Sequence, residues 1–306
     1  MNVTVVIISY NTSSLTLKCI SSIKKTTSNC PIIVVDNCSP DSTVSDIRTN
    51  FNDVNIIITP ENRSYANAVN IGMNACMTDF AIVCNADVEF RDSSIQILTN
   101  YLKKHPKVGV VAPQQIYPNG SWQRSYGYLH GIKEAISDVL FITTFKHALR
   151  TVFFNISPID RQPKYVDYVD GAILAIRRDA HKSIEGFDEE FSFYSEESDF
   201  CYRLKQAYWD VVFNPKAVVM HIRGASSGSE LNQTAATVRK LVYSKVQFVR
   251  KHRSTFGQKI YIALEYLHFS MKKLIYSLII LVHKTPSVRA KLTFFERISS
   301  YWKEYL

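Results

Sequence analysis

At 306 residues and 46% hydrophobic content, the chain can bury a full core, enough for one large α/β domain plus an appendage. A charged fraction of 21% without any low-complexity segment excludes wholesale disorder. The net charge of +9 is uneven: residues 1–238 carry 22 Lys and Arg against 24 Asp and Glu, whereas residues 239–306 carry 14 against three (Glu265, Glu296, Glu304). The larger part is thus slightly acidic, so nucleic acid is not expected as a partner.

In chain order, apolar β-branched runs at 3–8, 32–35, 56–58, 80–83 and 108–111 alternate with helical patterns near 13–25, 42–51, 64–77 and 93–105. Short, wholly apolar strands separated by helices predict parallel strands covered on both faces. The fold class is therefore α/β, a doubly wound, mostly parallel sheet, with its ligand beyond the carboxyl ends of the strands. From 113 to 164 the pattern weakens: the run YPNGSWQRSYGY reads as a hairpin or exposed loop, and 131–155 as partly helical. Strand patterns return at 171–176, 211–213 and 217–220, with a helix starting near Ser195, and helices dominate from about Leu231. Six cysteines without a CxxC pair read as buried free thiols in a reducing compartment. The first residues run straight into a strand rather than a secretory signal, so a cytoplasmic protein is expected.

Ten glycines form neither GxGxxG nor GxxxxGK, which leaves dinucleotide and P-loop readings without support. Instead, polar clusters follow three strands: Ser9-Tyr10-Asn11, Asp36-Asn37 and Asn85-Ala86-Asp87. One such cluster is ordinary turn chemistry, but three at one sheet edge converge on a crevice. A strand-end carboxylate such as Asp87 can hold a hard divalent cation against a pyrophosphate, although an Asx turn explains a lone NxD equally well.

The segments VVIISYN, IIVVDNCSPDST, ENRSYANAVNIG and VCNADV, followed by DGAILAIRRDAHKSIEGFDEEFSFYSEESDFCYRL and VVMHIRGASS, resemble glycosyltransferase family 2 enzymes. The similarity spans roughly residues 1–250 and lies nearest to bacterial rhamnosyltransferase-type members that build O-antigens and capsules. It implies the GT-A fold of nucleotide-diphospho-sugar transferases. Carried over by position, Asp87 is the metal-binding carboxylate of the DxD motif, with Asn85 at its first place. Ser9, Tyr10 and Asp36 match positions that hold the donor base and ribose; Asn11, Asn70 and Ala86 fall on the donor side. Ser64 stands where the family usually has glycine.

The cluster Glu196-Glu197-Ser198-Asp199 has a plain structural explanation, since acids in a first helical turn offset the dipole and Ser195 is a natural N-cap. Helical spacing nevertheless puts Glu197 at the head of the apolar stripe Phe200, Cys201, Leu204, Tyr208, and Glu196, Asp199 and Arg203 on a more polar face. Partial burial would raise a carboxylate toward the working range of a general base. In the family this is where the catalytic acid pair lies; its second position is Glu197, with Glu for the usual Asp, and Glu196 and Asp199 remain alternatives. A lone His is usually structural, but the resemblance makes His221 a metal and pyrophosphate ligand beside Asp87, with Arg223, Gly224 and Ser226 opening the backbone to phosphate. Asp170 and Gly171 begin the acceptor-side segment, and Asp188 forms a turn.

The resulting expectation is an inverting transferase using Mg²⁺ or Mn²⁺, with residues 1–250 as catalytic domain (1–112 the donor-binding half, 165–230 the acceptor and catalytic half). The resemblance favours dTDP-rhamnose as donor, with UDP-hexoses as the alternative, and a polyprenyl-diphosphate-linked oligosaccharide as acceptor. No Gln-x-x-Arg-Trp motif follows the catalytic helix, which favours transfer of a single sugar. Residues 251–306 form a basic amphipathic tail whose apolar stretch at 274–282 is too short to span a bilayer. Flanked by Lys272, Lys273, Lys284, Arg289 and Lys291, it suits an anionic membrane surface at the inner face of the cell membrane, or else a packed helical cap. Two other classes compete: a non-catalytic nucleotide-sugar-binding scaffold, which need not keep Asp87, Glu197 and His221 together, and a sugar nucleotidyltransferase, which would carry a Gly-rich basic loop where this chain has Ser9-Tyr10-Asn11.

Overall fold

The computed structural model describes residues 2–27, 29–142, 144–145, 162–192, 194–222 and 234–306. Strands β1 (Val3–Ser9), β2 (Ile32–Asp36) and β3 (Asn55–Ile58) pair in parallel, and β4 (Phe80–Asn85) lies parallel on the other side of β1. Every residue of β1 and β2 is buried because helices cover both faces. Val3, Val5 and Ile7 face Cys19, Ile20 and Ile23 of α1 (Ser13–Thr26), whereas Val6 and Ile8 face Ala66, Val69 and Met73 of α3 (Tyr65–Ala75). The period of two along the strand meets the period of 3.6 along each helix. Gly72 lets α3 approach β1: a Cβ there would stand 2.3 Å from Val6 Cγ1. In the chain, α2 (Thr43–Asn50) connects β2 to β3.

The second half of the sheet departs from a simple parallel series. After β5 (Val88–Phe90), α4 (Ser94–Lys104), β6 (Val108–Ile116), β7 (Trp122–Gln123) and β8 (Tyr126–Gly127), the chain returns through β9 (Lys164–Tyr165), β10 (Tyr168–Val169), β11 (Ile173–Arg177) and β12 (Asp210–His221). The order is β3-β2-β1-β4-β11-β6-β12-β5, with β11 antiparallel to both β4 and β6 and β5 antiparallel to β12. The strand patterns at 211–213 and 217–220 form one strand, β12, whose register slips between Asn214 and Val218, where Pro215 has no N–H to give. Of the two readings of the run YPNGSWQRSYGY, hairpin or exposed loop, the structure has the hairpin: Gln115 faces Gln123 across β6 and β7. Helices α6 (Arg178–Ser183) and α7 (Glu196–Gln206) lie between β11 and β12.

The chain divides into two compact units. The first comprises Met1–Tyr128, Pro158–Ser192 and Glu196–Arg223 and holds the sheet; the second comprises Leu129–Ser157, Phe193–Ser195 and Gly224–Leu306. In the second unit, α5 (Ile132–Val139), α8 (Ala235–His252), α9 (Thr255–Val282) and α10 (Pro286–Lys303) are the described helices. Thr234, Ser254 and Thr285 cap the last three by accepting from backbone N–H groups of the first turn, and Pro286 opens α10. No described helix is long and apolar enough to cross a membrane.

Among the cysteines, Cys19, Cys76, Cys84 and Cys201 are buried free thiols, Cys30 is half-buried, and Cys38 is exposed, contrary to the expectation that all are inside. Cys38 has a left-handed φ of 62° in the loop after β2, which turns it away from the core.

Candidate active site

The three polar clusters end neighbouring strands. The parallel register sets Ser9 beside Asp36 and Ile8 beside Asn85, so all three lie at one sheet edge. Their side chains do different work. Ser9 Oγ turns inward to Thr16 Oγ1 at 2.9 Å and Thr12 Oγ1 at 3.1 Å. Asp36 is buried, and both its oxygens accept from the Ser39 backbone N–H, at 3.1 and 3.2 Å. Tyr10 and Asn11 are the exposed members, Asn11 at φ 53° with its N–H on Ser39 Oγ. Ala86 belongs to the core cluster rather than to the crevice. Ser9 and Asp36 thus have hydrogen-bond partners within the loops, whereas Tyr10 and Asn11 are exposed at the sheet edge.

Asp87 is 5% exposed and His221 6%, with His221 Nε2 3.4 Å from Asp87 Oδ1. The main chain fixes the pair, since His221 stands opposite Val88 across β12 and β5, and Ile222 N–H donates to the Asp87 carbonyl at 3.0 Å. Asp87 Oδ1 is buried with no hydrogen-bond partner. An isolated carboxylate oxygen in a low-dielectric site is costly. A divalent cation would satisfy it, and two oxygen- or nitrogen-bearing ligands each about 2.1 Å from one ion can stand this far apart. Among the described residues no group of three or more His, Cys, Asp and Glu gathers, so remaining positions would fall to donor phosphates and water. Asp87 and His221 fit the metal. Asn85 is half-buried at the end of β4, its backbone N–H on the Ala172 carbonyl at 2.9 Å. Arg223, Gly224 and Ser226 lie outside the described residues.

The acids of α7 are arranged differently from the helical-wheel expectation. Glu196 and Asp199 are buried, whereas Glu197 is half-buried. Asp199 is fully enclosed because Arg203, one turn on, covers it, with Nε 2.6 Å from its carboxylate. The same Arg203 donates from Nη1 to the Ile184 carbonyl at 2.6 Å, so Asp199 belongs to a structural ion pair. Burial pushes Glu196 up to about 7, with the charge of Asp170 adding to it, and its Oε2 has no hydrogen-bond partner. Burial first, then the charges of Glu196 and Asp170, hold Glu197 well above the usual carboxylate range.

Glu197 packs on Gly171, where a Cβ would meet its own Cβ at 3.4 Å and Oε2 at 3.8 Å. The Gly171 carbonyl accepts from Tyr65 Oη at 2.8 Å, and Asp170 Oδ1 accepts from the Ala172 N–H at 3.0 Å. Asp170 also takes a bond from Gln115 Nε2 at 3.3 Å, while Gln115 Oε1 is 2.9 Å from His221 Nδ1. The segment 170–172 therefore touches Glu197 on one side and, through Asn85 and Gln115, the Asp87–His221 pair on the other. Two left-handed residues, Tyr194 (φ 70°) and Ser195 (φ 63°), precede α7. Backbone of this kind costs about 1–3 kcal/mol per residue and recurs at functional sites.

Asn70 is used elsewhere. Its amide donates to the Phe187 carbonyl at 2.8 Å and to Glu189 Oε1 at 2.9 Å, and accepts from the Phe187 N–H at 2.9 Å. It clamps the turn at Gly186 (φ 77°), where a Cβ would collide with Asn70 Oδ1 at 2.5 Å. Ser64 caps α3 at φ −83°, a conformation that makes no demand for glycine. Asp188 forms its turn by accepting from the Glu190 N–H at 2.9 Å. Tyr65, Gln115 and Gln123 belong to no strand-end cluster and no acidic cluster in the sequence. The only sequence signal for the two glutamines is their place on facing strands of the hairpin.

A model of glycosyl transferase family 2 matches residues 4–184. The chain belongs to glycosyltransferase family 2. An N-acetylglucosaminyl-diphospho-decaprenol L-rhamnosyltransferase of Mycobacterium tuberculosis (strain H37Rv) is 26% identical to it over 223 residues, 69% of this chain and 73% of that one. A pre-mycofactocin glycosyltransferase of the same strain is 27% identical over 198 residues, 62% of this chain and 37% of that one. The mannosyltransferase PcManGT of Pyrobaculum calidifontis, solved with GDP-mannose and Mn²⁺, superposes with a TM-score of 0.60 at 15% identity, covering 99% of this chain and 85% of that one. GalNAc-T7, solved with UDP, GalNAc and Mn²⁺, gives 0.56 at 16% identity over 82% of this chain and 50% of that one. These two likenesses carry the fold, which is of the GT-A type. This family 2 chain is a glycosyltransferase, similar in sequence to a rhamnosyltransferase.

Proposed function

We propose that this glycosyltransferase moves a single sugar, with inversion, from a nucleoside diphosphate donor to a lipid-linked glycan acceptor in bacterial surface polysaccharide synthesis. The observation that carries the reading is the chain of contacts from Glu197 through Gly171, Asp170 and Gln115 to His221 and Asp87, a base and an anion-bridging pair across one short segment. The acceptor hydroxyl oxygen attacks the anomeric carbon as the bond from that carbon to the phosphate oxygen breaks. Its proton passes to the Glu197 carboxylate, and the electron pair leaves with the nucleoside diphosphate. When bound by Asp87 and His221, a divalent cation supplies charge neutralisation for the departing diphosphate. Tyr10 and Asn11 meet the donor base and ribose, and Asp170 and Gly171 border the acceptor.

The rhamnosyltransferase relative makes dTDP-rhamnose the first donor to try and a polyprenyl diphosphate-linked N-acetylglucosamine the first acceptor. With Mn²⁺ present, the glycolipid product should carry the opposite anomeric configuration to the donor, read by NMR of the released glycan. Retention would overturn the single displacement, and donor binding without transfer from dTDP-rhamnose or any UDP-hexose would favour the scaffold reading.

Such acceptors reside in a bilayer, and the second unit carries a surface suited to one. Phe256, Leu267, Leu274, Leu278 and Leu281 share one exposed stripe along α9, bordered by exposed Lys259 and Lys273. That is the pattern of a helix lying in a membrane interface, with lysines drawn to anionic headgroups. Lys272 is placed differently, over the Phe269 and Phe295 rings between α9 and α10. The full chain should float with phosphatidylglycerol vesicles and far less with phosphatidylcholine ones, and the Leu274→Asp, Leu278→Asp double variant should stay at the bottom of the gradient. Equal flotation of both proteins would remove the membrane-surface role, and with it the peripheral cytoplasmic placement.

A further inference from the structure

The imidazole of His221 is held from behind by two amides. Its Nδ1 lies 2.9 Å from Gln115 Oε1 and 2.7 Å from Gln123 Oε1. The orientation of each amide is set by its other end, since Gln115 Nε2 donates to Asp170 Oδ1 at 3.3 Å and Gln123 Nε2 to the His221 carbonyl at 3.5 Å. Turning either amide over would set its oxygen against a carboxylate or a carbonyl and its NH₂ against the ring. Two carbonyl oxygens can only accept, so Nδ1 must carry a hydrogen. With that hydrogen on Nδ1, the ring nitrogen open to a metal is Nε2, the atom that faces the unpartnered Asp87 Oδ1 at 3.4 Å.

We propose that Gln115 and Gln123 are positioning residues that lock His221 in its Nδ1–H tautomer, presenting Nε2 with Asp87 as a preformed two-ligand face for a divalent cation. This deepens the metal reading above and rests on it. Two lone pairs opposed inside a buried site repel, and the repulsion turns to attraction once a cation lies between them. The hairpin exists in the right register for this: β6 and β7 pair Gln115 with Gln123 directly, so both side chains reach the same ring. Gln114 secures the hairpin, accepting from Trp122 Nε1 at 3.0 Å and donating to the Gln123 carbonyl at 3.0 Å. Because Gln115 also grips Asp170, the same side chain registers the cation face against the segment that carries Gly171.

The test reads the ring directly. Long-range ¹H–¹⁵N spectra of the metal-free protein should show His221 as the Nδ1–H tautomer, and the Gln115→Leu and Gln123→Leu variants, singly and together, should show a mixture or the other tautomer. Mn²⁺ binding, followed by electron paramagnetic resonance with and without dTDP or UDP, should weaken by about tenfold or more in the Leu variants. If Asp87→Ala weakens Mn²⁺ binding while the Leu variants bind as the parent does, or keep its tautomer, the clamp is overturned and the metal pair stands. If Asp87→Ala binds Mn²⁺ like the parent, the metal reading itself fails.

Discussion

Glu197→Gln should lower kcat by about three orders of magnitude, the middle of the range for loss of a general base, and leave the affinity for the nucleoside diphosphate sugar near its parental value. The amide keeps the volume that packs on Gly171 and loses only the site that receives the proton. The pH profile supplies a second check. Burial and the neighbouring acids raise Glu197 well above the usual carboxylate range, and burial raises Glu196 to about 7. A base works only when deprotonated, so the parental rate should climb as pH rises through neutrality and beyond rather than levelling off near pH 5. Stability runs the opposite way. A carboxyl whose folded value exceeds its unfolded one stabilises the fold at low pH and loses that contribution as pH rises through the folded value. For Glu196 the move from 4.5 to about 7 corresponds to roughly 3 kcal/mol at most. Glu196→Gln should therefore raise Tm at pH 8 and change it little at pH 4. A flat rate profile above pH 5, or a Glu197→Gln enzyme with parental turnover, would assign the base elsewhere.

Asp87→Ala should cut Mn²⁺-supported turnover by two orders of magnitude or about that, with a weaker apparent affinity for donor and metal together. His221→Ala should follow in the same direction. The two losses should not add, because both side chains face one gap of 3.4 Å and removing either opens it. Parental activity in excess chelator, together with an active Asp87→Ala protein, would take the cation out of the mechanism.

Much of this was written plainly in the sequence. The apolar runs of β1, β2 and β4 announce themselves because both of their faces are covered, and the polar residues that end them fall at one edge because those strands are neighbours. Other features were hidden for definite reasons. The run that forms β11 is equally apolar in either direction, so composition cannot tell that it enters the sheet reversed between β4 and β6. In α7 the helical wheel failed because Glu196, Ser198, Asp199, Phe200, Cys201 and Leu204 are all buried; a helix covered on more than one side has no single polar face. Asn70 sits within the family motif, yet its role depends on a turn more than a hundred residues later. Gln115 and Gln123 gain meaning only once a hairpin and a distant strand bring His221 to them.

The reversed strand β11 has a consequence for how the molecule comes into being. Residues 80–85 and 108–116 are near in sequence but never hydrogen-bond as strands; the gap between them waits for 173–177. The sheet therefore cannot be completed until β11 and then β12 have been synthesised, and β12, the last strand to enter, joins β6 to β5 and ends on His221. Loop closure of that length is slow compared with local pairing. Closure of the sheet and the meeting of Asp87 with His221 thus wait on the same late strand.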